Sequence, residues 1–347
     1  MLYVTTRNNQ DAYTSNRALC ENRGPDGGMY VPFKMPAFSP AEIDALGEKA
    51  FGQRVADILN LLFGTRLTGW DVDFCIGRSA TRLIPMSHRI AIGETFHNPQ
   101  LDFSWTVKSV FDHIRGTDGG KEIPSEWTIL AVRAAVLFGM VGELMKTGDA
   151  SRADPVDVAL VGGNFSAPMA AWYAKQWGLP IANIVVCCNE NNTPWDLVHR
   201  GQIRTDRVAV RTATPNADQT LPACLERLVF ALGGQGETAR YLETCRRGGL
   251  YILPDLAASK LRENMYVSVV SERRMASTIP NVYNTNGRIF GPYTAMSYSG
   301  LMDYRAATGE NRTALVLAEK GPERDLDTVA RAMSLEKDRL NALLRKT

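Results

Sequence analysis

Pro155-Val-Asp-Val-Ala-Leu-Val-Gly-Gly-Asn-Phe-Ser-Ala-Pro-Met169 opens the stretch that settles the fold, and the stretch continues to Asn192. Val156 to Val161 is a short run rich in β-branched and apolar residues, which Gly162-Gly163-Asn164-Phe165-Ser166 interrupts. Met169, Tyr173 and Trp177 then recur four residues apart, the spacing of a helix with one buried face. Ser166 is the expected N-cap with Pro168 in the first turn, and Gly178 and Pro180 close the helix. Ile181 to Cys188 is a second buried strand. Strand, helix, strand makes a βαβ unit with parallel strands, and hence an α/β protein with a parallel-sheet core. The helix begins at the carboxyl end of the first strand, where its unpaired N–H groups and dipole favour an anion such as phosphate. The loop is neither a dinucleotide fingerprint nor a Walker loop, so on pattern alone the glycines serve a turn as readily as a ligand.

Composition bounds the alternatives. With 347 residues and 45% hydrophobic content, the chain can bury one large core or two unequal ones. Lys plus Arg is 39 against 37 acidic residues, so the net charge of +2 supplies no field to hold nucleic acid or a membrane surface. Six cysteines without a CxxC pair and four histidines without ligand spacing indicate neither a zinc site nor a disulfide framework. No metal is expected. Reduced thiols point to a cytoplasmic protein, no signal sequence opens the chain, and the longest apolar segment, Ile129 to Met145, carries Arg133 and Glu143.

Outward from the central unit, the amino-terminal residues read as a strand (1–6), a polar helix (about 11–22) and a Pro25-Asp-Gly-Gly28 turn before a short strand. Ser39-Pro40 with Glu42 starts a helix, two more follow at about 51–63 and 68–76, and Ser125 caps a long helix to Met145 that is apolar on nearly all faces. Helices are expected at 217–232 and 237–247, a strand at 313–318, and an amphipathic helix from Asp325 to the end.

Several of these segments resemble the threonine synthase family. Tyr3-Val-Thr-Thr-Arg7 and Arg23-Gly-Pro-Asp-Gly-Gly-Met-Tyr-Val-Pro32 are similar to its Tyr-x-Ser-Thr-Arg start and its Pro-Asp-Gly-Gly-Leu-Tyr-Val-Pro turn. Glu94-Thr-Phe-His-Asn-Pro-Gln-Leu-Asp-Phe-Ser-Trp105 resembles Glu-Leu-Phe-His-Gly-Pro-Thr-Leu-Ala-Phe-Lys-Asp. Gly162 to Ser166 resembles the Pro-Ser-Gly-Asn-Phe-Gly loop that holds the cofactor phosphate, and Tyr173 to Pro180 and Asn189 to Asn192 match the segments after it. The resemblance implies a reduced tryptophan-synthase-β-like architecture, the fold type II of pyridoxal-phosphate enzymes. Residues 1–93 would form a helical amino-terminal region and residues 94–347 the α/β core. The Ser-Gly-Asp-Thr-Gly loop of the mobile substrate lobe has no counterpart in the sequence, so that lobe is expected to be missing.

The same resemblance places Ser104 where the family carries its Schiff-base lysine, and a hydroxyl can neither form the Schiff base nor move protons as an amine does. Asp102 and Trp105 replace the flanking alanine and aspartate, and Gly291 and Tyr293 stand in the family's Glu-Pro-His segment. The candidate catalytic residues are Ser104, His97, Asp102 and Lys108. Gly162, Gly163, Asn164, Phe165 and Ser166 are the candidates for binding phosphate. No cofactor is certain, and pyridoxal phosphate could be held only without the usual Schiff base.

The first reading is a degenerate threonine synthase relative, a pseudoenzyme that keeps a cleft for a small phosphorylated ligand and serves as a binding or partner protein. The second is an active lyase of amino-acid metabolism, pyridoxal-phosphate-dependent or acting on a phosphorylated substrate, with a rebuilt site. A homo-oligomer, or a hetero-oligomer with a longer paralogue, remains open.

Overall fold

Six strands form the central sheet of the computed structural model, which describes residues 1–77, 82–96, 101–117 and 119–345. Their spatial order is Met265–Val269, Ile181–Cys188, Val156–Val161, Ala314–Ala318, Ile90–Glu94 and Arg82–Met86. The first five run parallel, and the Arg82–Met86 edge pairs antiparallel with Ile90–Glu94. A sheet of this kind must be covered on both faces. Alternate residues divide accordingly: Val156, Val158, Leu160, Ile184, Val186, Leu315 and Leu317 enter one apolar cluster, while Ala159, Val185, Cys187, Ala314 and Val316 enter the other.

The larger cluster is built around the helix Glu126–Lys146, capped by Ser125, whose Oγ accepts from the Thr128 N–H at 3.0 Å. The helix is long and apolar enough to cross a membrane, but most of its surface is buried within the fold. It packs against the helices Phe51–Phe63 and Ser166–Gln176. A three-stranded antiparallel sheet (Leu2–Thr5, Tyr13–Thr14 and Tyr30–Pro32) covers one end, with Tyr3 meeting Trp127 edge to face at 5.4 Å. The opposite face of the central sheet carries the helices Glu272–Asn286 and Pro292–Thr308.

Sequence and structure agree where the local chemistry is explicit. Phe51–Phe63 stops at a left-handed Gly64, and Ser39 and Thr68 each complete a capping box, with Glu42 and Asp71. They part where a short segment is stabilised by distant contacts. The polar helix narrows to Ser15–Cys20 beside a two-residue strand. The helix expected from Ala217 starts at Leu225 and runs to Arg247 with a kink at Gly234. The carboxyl-terminal helix is two helices, Leu326–Met333 and Lys337–Leu344, separated at Ser334 in the left-handed region. The division drawn at residues 93 and 94 falls inside the strand Ile90–Glu94, which pairs with Ala314–Ala318. All six cysteines are free.

Asp157 lies on the strand Val156–Val161 with no solvent exposure. Its Oδ1 has only a long contact to Asn183 Nδ2 at 3.4 Å, and Oδ2 has no partner among the described residues. Burial pushes this carboxyl up from 3.8 to about 6. An acid whose pKa rises on folding favours the folded state while protonated, and that contribution disappears as the pH rises through the folded value. Stability is therefore expected to fall between about pH 4 and pH 6 by this term. Asp157→Asn should flatten that part of the curve and raise stability at pH 7, as read by urea midpoints across the range. Parallel curves for the two proteins would refute the assignment.

Candidate functional site

A cavity of about 520 Å³ opens beyond the carboxyl ends of the adjacent parallel strands Val156–Val161 and Ala314–Ala318. Open α/β sheets place ligands in such a position. One wall is the loop Gly162 to Asn164 with Ala167; the others bring in Asp102 to Ser104, Arg133, Asn216, Tyr293, Glu319 and Lys320.

The loop is shaped by the neighbouring strand. A Cβ on Gly162 would lie 2.9 Å from Cys188 Sγ, and the Gly162 N–H donates to the Cys187 carbonyl at 2.8 Å. Glycine is needed there for the close approach. Gly163 and Phe165 adopt positive φ, +45° and +66°, with Phe165 fully buried. Asn164 fastens the turn: its Oδ1 accepts from the Ser166 N–H at 3.0 Å and its carbonyl accepts from the Cys224 N–H at 3.1 Å. Ser166 differs from its expected role. Phe165 is the N-cap and Ser166 the first helical residue; Pro168 has no N–H to offer a serine cap, and the Met169 N–H donates to the Phe165 carbonyl at 3.1 Å. The Ser166 hydroxyl instead accepts from Arg133 Nη1 at 2.9 Å.

Arg133 is the basic group closest to this turn, and sequence reading treated it only as an interruption in an apolar helix. It projects from Glu126–Lys146, is 8% exposed, and lies 4.6 Å above the Phe103 ring. Its Nε and Nη2 donate to the two oxygens of Glu319, the latter at 3.0 Å. Glu319, at the end of Ala314–Ala318, is the more exposed partner at 29% of its side chain. The cleft floor thus holds a two-pronged ion pair one residue from the loop helix. Its sequence signal was the pairing of a lone arginine on an otherwise greasy helix with an acid directly after a buried strand.

The segment Asp102 to Ser104 is held to the same strand end. The Phe103 N–H donates to the Glu319 carbonyl at 2.9 Å, and Asp102 pairs with Lys320 in an antiparallel bridge. Asp102 caps the helix Phe103–Arg115, accepting from the Ser104 N–H at 3.0 Å and from the Ser104 hydroxyl, and Arg324 Nη2 lies 3.4 Å from its other oxygen. Both residues line the cleft with their polar groups engaged in this cap. Lys108 does not join them: its ammonium is held by the Asp112 carboxylate and the Gly120 carbonyl, the latter at 2.8 Å, away from the cavity wall. His97 lies outside the described residues.

Two further residues that were not among the sequence candidates line the cavity. Tyr293, in the first turn of Pro292–Thr308, accepts from the Asn216 N–H at 3.2 Å; burial pushes its phenol up to about 12, so it stays protonated at neutral pH. Lys320 lies 4.9 Å from the Tyr293 ring centroid and pairs with Asp325 Oδ1 at 2.9 Å.

The family model described as "Threonine synthase N terminus" matches residues 2–80. Human threonine synthase-like 1 is 28% identical over 161 residues, 45% of this chain and 21% of that protein. Threonine synthase of Methylobacillus glycogenes is 28% identical over 219 residues, 61% of this chain and 45% of that protein. The alignments therefore span less than half the length of these relatives. Among solved structures, pyridoxal-phosphate-bound threonine synthase from Brucella melitensis superimposes with a TM-score of 0.82 at 18% identity, covering 97% of this chain and 92% of that one. Yeast threonine synthase gives 0.80 at 17% identity, covering 96% and 90%. The fold is that of the type II pyridoxal-phosphate enzymes.

The Arg133 and Glu319 side chains depend on each other. Removing one leaves a charge in a half-buried site, whereas replacing both leaves none. Arg133→Met and Glu319→Met should each destabilise the chain, and the double variant should cost less than their sum by about 1–3 kcal/mol. Additive losses in urea unfolding would show that the two do not interact.

Proposed function

We propose that this chain, a relative of the threonine synthases, binds a small phosphorylated ligand in the cleft at Gly162 to Ser166 and does not make threonine. The observation that carries the reading is the loop itself. Its glycines are fixed by close contact with Cys188 and by positive φ, and it leads into a helix whose first-turn residue Ala167 faces the cavity. In the first turn Asn164 holds the Ser166 N–H, Pro168 has none and the Met169 N–H donates to the Phe165 carbonyl, so the Ala167 N–H is the donor offered there, and the dipole adds partial positive charge at that end. A dianionic phosphate matches both, and Arg133, bonded to Ser166 and paired with Glu319, adds beside them what positive charge Glu319 leaves.

The residues present fit the phosphate end of pyridoxal phosphate, through the Ala167 N–H, the glycine turn and Arg133 beside it. When bound, it would supply an electron-withdrawing ring and an aldehyde. Ser104, at the position aligned with the family lysine, offers a hydroxyl already committed to Asp102 and no amine. Threonine synthesis through that position therefore has no proton carrier of the usual kind. What the chain's own residues can do is hold phosphate at the loop, fix the cleft wall through the Asp102 cap, and keep the Tyr293 phenol as a neutral hydrogen-bonding group.

Calorimetric titration with pyridoxine 5′-phosphate, which has the phosphate but no aldehyde, tests this reading. Saturable binding weakened by inorganic phosphate is expected. Ala167→Glu places a negative charge at the loop and should reduce affinity by about tenfold or more, with thermal melting of the variant used to show that it folds. Equal affinity in the variant, or no binding to the native chain, would overturn the proposal.

A further inference from the structure

Resting on the phosphate-cleft reading, we propose that the cleft takes a phosphorylated aldehyde and that Lys320 is the amine that bonds to it. Lys320 is the one lysine on the cavity wall among the described residues. Its backbone bridges to Asp102, two residues from Ser104, which places Lys320 beside the position that the sequence aligns with the family lysine. Contacts link it to the phosphate loop. Lys320 Nζ is 4.9 Å from the Tyr293 ring centroid, Tyr293 accepts from the Asn216 N–H at 3.2 Å, and the Asn216 carbonyl is 3.6 Å from where a Cβ on Gly163 would lie. Amine and loop therefore line one cavity, separated by the width of a tyrosine and one turn of backbone. A ligand with phosphate at one end and an aldehyde across an aromatic ring would reach both.

The local chemistry supports condensation. The Lys320 and Asp325 side chains are only 18% and 15% exposed. Asp325 Oδ1 holds the ammonium at 2.9 Å, while Oδ2 is buried with no hydrogen-bond partner among the described residues. The step balances as follows. The ammonium passes one proton to Asp325, and the neutral amine adds to the carbonyl carbon. The carbonyl oxygen leaves as water with the two remaining amine hydrogens, and a C=N bond remains. Return of the proton from Asp325 gives the cationic form. No oxidant or reductant enters. Lys108, the other lysine near Ser104, is spent on Asp112 and Gly120 outside the cavity.

The full chain is incubated with pyridoxal phosphate, reduced with borohydride and mapped by peptide mass spectrometry. The expected result is one saturable modification, at Lys320, suppressed by inorganic phosphate and absent from Lys320→Arg. Arginine keeps the positive charge beside Asp325, so pyridoxine 5′-phosphate should bind Lys320→Arg and the native chain alike. Modification at Lys108 or another lysine, or no modification, overturns the assignment of Lys320. If pyridoxine 5′-phosphate binds the native chain in that case, the phosphate-cleft reading stands and only this inference falls. Failure of both ligands to bind removes both.

Discussion

The strand Val156–Val161 is covered by apolar side chains on both faces, and this constraint sets the rest of the site. After this strand the chain turns within four residues and sends its next helix, Ser166–Gln176, back along the sheet. The turn passes so near Cys188 that Gly162 can carry no side chain, and Phe165, at positive φ, anchors the helix start in the core. The helix N-terminus is thereby fixed at the strand end. What binds there follows from the geometry of the backbone more than from any single side chain.

Around that fixed point the electrostatics are nearly neutral. Arg133 answers Glu319 and Ser166, Lys320 answers Asp325, and Asp102 is spent on its own helix and on Arg324. Each charge in the cleft has an opposite partner, the arrangement that keeps half-buried ions tolerable when no ligand is present. An incoming anion must compete with Glu319 for Arg133, so affinity would come mainly from the loop N–H groups, with the guanidinium contributing what Glu319 leaves. The same pairing makes a charged residue tolerable on a helix whose surface is mostly buried.

The fold was legible wherever chemistry is local. Continuous apolar runs gave Val156–Val161 and Ile181–Cys188, a serine cap followed by proline and acid gave the start at Ser39, and the glycine loop lines the cavity. The antiparallel edge Arg82–Met86 and the site residues Arg133, Glu319 and Lys320 were not legible as a group. Their positions are set by long-range pairing, residues 186 apart in the case of Arg133 and Glu319. Ser166 shows the limit from the other side: a serine before a helix reads as a cap, but Pro168 has no N–H for it, the Met169 N–H donates to the Phe165 carbonyl, and the hydroxyl accepts from Arg133. Tyr293 and Asn216 meet only because a distant helix and a loop converge on the same strand ends.

The claim that organises this account is that phosphate binds at the loop 162–166. A crystal structure of the full chain with pyridoxine 5′-phosphate tests it most directly. The account predicts the phosphate against the Gly163, Asn164 and Ala167 backbone, within hydrogen-bonding reach of the helix N-terminus, with Arg133 beside it. Density for the phosphate elsewhere, or an empty loop in crystals grown at saturating ligand, would contradict it.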